Sequence, residues 1–66
     1  MNTFERVQEA KKHRNVRFDL LNQKYYWMYR AAETAEDVLR VNAWYKAEAH
    51  EITEQYVQEV CAAYRK

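Results

Sequence analysis

His50-Glu51-Ile52-Thr53-Glu54 stands closest to a chemical motif in this chain. A zinc-binding His-Glu-x-x-His helix places two imidazoles one turn apart, with a carboxylate between them as general base. Here the second histidine position holds Glu54. His50 and Glu54 still share a helical face at i and i+4, and a chain folded back on itself would bring His13 near them, giving the three ligands a metal site needs at minimum. The same pairing is also ordinary helix-surface chemistry. Spacing alone therefore implies no metal and no cofactor.

Nucleophilic catalysis fares no better. The sequence contains no serine, and its single cysteine, Cys61, lies eleven residues after His50, about three helical turns away and out of reach of activation. Cys61 reads as a small packed side chain. Two helices enclose no cavity of the size that small-molecule sites need. No enzyme is expected.

Charge offers a second candidate. Lys11, Lys12, Arg14 and Arg17 cluster in the first half and could neutralise phosphates of RNA or DNA. The net charge is only +1, however. Residues 1–32 hold seven Lys/Arg against three Asp/Glu, and residues 33–66 hold four against seven. An intramolecular match of the basic segment with Glu48, Glu51 and Glu54 is the preferred reading, and nucleic-acid binding by a helical dimer is the alternative. Acidic and basic residues interleave too closely for a membrane-surface helix, and no apolar run approaches the roughly 20 residues that span a bilayer. The absence of a signal-like opening and the single cysteine fit a reducing cytoplasm.

The elements that would position these residues are helices. Among 66 residues there is no Gly and no Pro, so the positive-φ turns of a sheet protein have no supply. Ala, Glu, Gln, Lys, Arg and Leu dominate the polar positions, as helices prefer. Asn2 with Glu5 reads as one helix start, and Thr34 followed by Glu36 and Asp37 as a second. A turn near residues 31–34 follows. Phe18, Leu21, Tyr25, Met28, Ala32, Ala35 and Leu39 alternate spacings of three and four, the pattern of a coiled-coil-like seam. Val38, Val41, Tyr45, Ala49, Ile52, Tyr56, Val60 and Ala63 form a second seam out of phase with the first. The expected fold is all-α: a single-domain antiparallel helical hairpin of two long helices that dimerises into a four-helix bundle. Folding back near residue 33 would set Phe4 and Val7 by Val60 and Ala63, Leu21 by Tyr45, and Met28 by Val38. A three-helix bundle, broken near His13–Asn15 where Lys11 and Arg14 interrupt the first seam, is the alternative.

Surplus apolar surface carries the functional expectation. Val16, Leu20, Trp27 and Ala31 gather on a second face of the first helix, more than about 100° from its seam. Leu39, Val57, Cys61 and Tyr64 flank the second seam. Tyr25-Tyr26-Trp27-Met28-Tyr29-Arg30 surrounds its helix with rings, and Trp44 lies off its seam between Ala43 and Ala47. A chain this short buries only about 60% of its unfolded surface and needs a staple. With no disulfide available, the staple is another chain. The sequence therefore points to a non-enzymatic interaction protein, a homodimeric regulator, inhibitor or adaptor of the kind phages and mobile elements often carry. Leu20, Tyr26, Trp27, Arg30 and Trp44 are its expected contacts with another protein, since Trp, Tyr and Arg dominate binding hot spots.

Overall fold

The computed structural model describes residues 2–65 as two helices, α1 (Thr3–Ala31) and α2 (Ala35–Tyr64), packed antiparallel in a slab of 51 × 15 × 8 Å. Helix α1 runs unbroken through His13–Asn15, so the three-helix alternative is overturned. The reason lies at Arg14. Its position continues the buried line from Ala10 towards Phe18, and its guanidinium carbon sits 4.5 Å from the centre of the Tyr56 ring. A cation over an aromatic face fills a seam position that polarity alone assigns to solvent.

Both helix starts are capped as their sequences imply. The Asn2 Oδ1 accepts from the Glu5 N–H at 2.8 Å. At α2 the Thr34 hydroxyl accepts from the Asp37 N–H at 3.1 Å, and the Asp37 carboxylate accepts in return from the Thr34 N–H at 3.3 Å and the Glu33 N–H at 3.2 Å. That carboxylate also explains a reversal built without glycine. Helix α1 ends at Ala32 (φ −67°, ψ 130°) and α2 begins at Thr34 (φ −127°, ψ 163°), both extended. No described residue has positive φ. The chain leaves one helix and enters the next through β-region backbone, where any residue fits.

The α2 seam lies as its spacing predicts: Val41, Ile52 and Ala63 are buried, and Val38, Tyr45, Ala49, Tyr56 and Val60 are half-buried. On α1 only Leu21 and Ala10 are buried, with Val7, Phe18 and Tyr25 half-covered. Four expectations fail. Met28 is 39% exposed rather than closed into the α1 seam. Phe4 is 70% exposed rather than packed on Val60 and Ala63, Leu39 is 67% exposed rather than on a seam, and Ala35 faces solvent. Ala10 and Ala63, two small side chains, are the buried residues in the open-end half of α1 and at the end of α2.

Two reciprocal hydrogen bonds fix the register. Tyr25 donates its hydroxyl to Asn42 Oδ1 at 2.9 Å, and Tyr45 donates to Asn22 Oδ1 at 2.8 Å. The two tyrosine rings lie 4.8 Å apart between them. Slipping one helix by a turn would break both bonds at once.

Candidate protein-binding surface

A two-helix slab has two broad sides. Asn22 and Asn42, with their tyrosine donors, mark one of them as the interlocked side. The opposite side carries Leu20 and Trp27, two turns apart on α1, and Trp44 on α2. Leu20 and Trp44 share an open cleft of ≈ 280 Å³ with Leu21 and Ile52 at its floor. Trp27 is 66% exposed and Leu20 53% exposed. A second open cleft, ≈ 330 Å³, lies nearer the turn and is lined by Met28, Ala31, Ala32, Asp37, Arg40 and Val41. Together the clefts form a shallow apolar trough along one side of the hairpin.

Of the five expected contact residues, the structure groups Leu20, Trp27 and Trp44 on this side. Tyr26 and Arg30 lie on the outer ridge of α1 and engage each other. Arg30 donates to the Tyr26 hydroxyl at 3.0 Å, with its guanidinium carbon 5.6 Å from the ring centre. The Tyr26 ring also meets the Trp27 indole edge-on at 5.4 Å. Trp27 thus joins the trough to the ridge.

The basic segment does not form one surface. Arg17 reaches Glu59 at 3.3 Å, and Glu59 also accepts from or pairs with His13 Nδ1 at 3.3 Å. Lys12 lies 4.0 Å from Glu9, and Arg14 covers Tyr56. Lys11 is exposed on another part of the helix. The expected match with Glu48, Glu51 and Glu54 is corrected: the carboxylate that pairs with the cluster across the hairpin is Glu59, further along α2, which meets both Arg17 and His13. His50 pairs with Glu54 at 3.6 Å, and His13 does not join them. Among the described residues no three His, Cys, Asp or Glu side chains group as metal ligands. Cys61 is exposed, so the expectation of a packed thiol fails. No described helix is long and apolar enough to cross a membrane.

One titrating group is clearly displaced. The Asp37 carboxyl is held below its ordinary 3.8, first by the Glu33 N–H, then by the Thr34 N–H and hydroxyl and by Arg40, with desolvation opposing them in part. This is a cap, and its role is to hold the turn.

The register pairs escaped the reading of spacing. A signal was present: Asn22-x-x-Tyr25 and Asn42-x-x-Tyr45 repeat the same four-residue unit, one per helix. In an antiparallel hairpin such a repeat lets each tyrosine reach the other's asparagine. Compared with protein-family models, with curated proteins and with solved structures, the chain finds no match.

Proposed function

We propose that this chain is a non-enzymatic protein-interaction module, a regulator, inhibitor or adaptor, that works by laying the Leu20–Trp27–Trp44 side of its hairpin against another protein chain and that self-associates into a four-helix bundle. One observation carries this reading: the hairpin exposes more surface than it should. Its accessible area is 5417 Å², whereas a compact monomer of 8.1 kDa exposes about 4,500 Å². The excess is close to the ~800 Å² that each partner contributes to a stable interface. Large apolar side chains contribute to it. The buried core consists of Ala10, Leu21, Val41, Ile52 and Ala63, while Val16, Leu20, Trp27, Met28 and Leu39 stand among the exposed large apolar side chains.

Nucleic-acid binding through Lys11, Lys12, Arg14 and Arg17 is the weaker reading, because Arg14 and Arg17 are occupied within the hairpin. Affinity capture from native extract, with and without nuclease, separates the two. Capture through the trough survives nuclease and salt and is lost in Trp27→Ala. Capture that vanishes with nuclease and falls steeply with salt would replace the protein-binding reading with the nucleic-acid one. A chain that is monomeric by light scattering at micromolar concentration and retains nothing would overturn both.

A further inference from the structure

Around the Leu20–Trp44 cleft the trough is bordered by charge of opposite sign on its two helices, while Asp37 and Arg40 of α2 line the other cleft. Arg17 and Lys24 stand on the α1 border, Glu48 and Glu51 on the α2 border. Arg17 reaches down the helix to Glu59. None of the ion pairs of the described residues uses Lys24, Glu48 or Glu51. A surface with one basic and one acidic border, and an apolar strip between, is complementary to itself.

Resting on the protein-binding reading above, we propose that the occupant of this side is a second copy of the chain, laid face to face with both turns at the same end, so that α1 of each copy runs antiparallel along α2 of the other.

A two-fold axis lying between the faces has two choices. If it runs across the hairpins, α1 meets α1 and α2 meets α2. Arg17 and Lys24 then oppose their own counterparts, as do Glu48 and Glu51. If it runs along the hairpins, the basic border of each copy lies over the acidic border of the other. Like charges brought together at an interface are disfavoured, and the second choice removes them.

Packing agrees with charge. The register pairs 22/45 and 25/42 put Leu20 level with Ala47 and Trp27 level with Arg40. In the same-end arrangement Leu20 therefore seats on Ala47 of the second copy, whose small side chain permits close approach. The Trp27 ring meets Arg40 of the second copy, a cation over the best aromatic acceptor. The dimensions also suffice: a side of 51 × 15 Å, covered along its length, approaches the ~800 Å² per partner of a stable dimer. Tyr26 and Arg30 stay on the outside of such a bundle.

Cys61, exposed and near the open end, reports the arrangement. The full-length chain carries a nitroxide on Cys61, and its helicity is checked by circular dichroism. Pulsed dipolar spectroscopy then measures the distance between copies. Same-end packing predicts roughly 20–30 Å, from helices 8–10 Å apart plus the label arms. Opposite-end packing predicts about 40 Å or more, at 1.5 Å rise per residue, and observing it would overturn the proposed arrangement. A monomer mass with no dipolar signal would overturn self-association; Trp27-dependent capture of a different protein would then still uphold the module reading, and its absence would sink both. As a second arm, Lys24→Glu weakens the dimer by about fivefold or more, and adding Glu48→Lys restores it. An unweakened Lys24→Glu dimer would also reject the pairing of borders.

Discussion

The two broad sides of the hairpin both carry aromatic side chains and hold them in opposite ways. On the interlocked side, Tyr25 and Tyr45 stack at 4.8 Å and send their hydroxyls across to Asn42 and Asn22. Each ring there has both its apolar body and its polar tip engaged. On the trough side, Leu20 borders an open cleft with uncommitted charge beside it, and Trp27 stands 66% exposed. Buried tyrosine and tryptophan usually find a partner for their polar tip, whereas contiguous exposed apolar surface is a feature of interaction sites. The same residue types are thus engaged within the chain on one side and left open on the other.

The core between the two sides gives the largest effect and the control for the rest. Leu21→Ala removes one of the few fully covered apolar side chains and costs about 2–5 kcal/mol, enough to unfold so thin a hairpin in urea or on mild heating. Both sides should be lost together. Trp27→Ala is expected to separate them. It should cost about 2 kcal/mol or more in association, roughly a thirtyfold loss of affinity, while the circular dichroism spectrum stays helical. If Trp27→Ala instead melts the chain as Leu21→Ala does, the distinction between the two sides collapses.

Tyr25→Phe tests the interlocked side in the complementary sense. It keeps the ring and removes the half-buried hydroxyl bond to Asn42, with an expected cost of about 1 kcal/mol in denaturant unfolding and no loss of partner binding. Thr34→Ala acts at the turn, where neither side is involved. Losing the cap should cost about 1 kcal/mol, visible as a small drop in melting temperature. The smallest effect is a pH dependence. Because the folded Asp37 carboxyl titrates below its ordinary 3.8, the unfolded chain binds more protons in that range. The cap's contribution is complete above the ordinary value and fades as pH falls through the folded one. Asp37→Asn should flatten this part of the acid-unfolding curve. An unchanged curve would mean that Asp37 does not hold the turn.

Much of the architecture was legible before any coordinate. All eight residues of the α2 seam are covered, and Thr34 caps α2 with Asp37 in return, because helical period and capping are local properties of the chain. The α1 seam was misread where polarity was taken for exposure. Arg14 occupies an inner position because Tyr56 on the other helix offers it a ring, and nothing within α1 records that. Phe4 and Leu39 fail in the reverse direction: apolar and correctly spaced, they find no opposing surface within the hairpin. Which of the candidate residues share one side was not legible in the sequence. Leu20, Trp27 and Trp44 come together only when two helices are placed side by side, and Tyr26 with Arg30 is turned away by the same placement.

Residue type and local spacing thus determined that this chain is helical, where its helices begin, where it reverses, and that its apolar surface exceeds what two helices can cover. Those features depend on backbone preferences and on interactions three or four residues apart. Tertiary packing alone decided the register, the partners of Arg14 and Arg17, and the division into an interlocked side and an open one. Each of these requires atoms from both helices, and an angular pattern along one helix carries no record of how far the other has slid beside it.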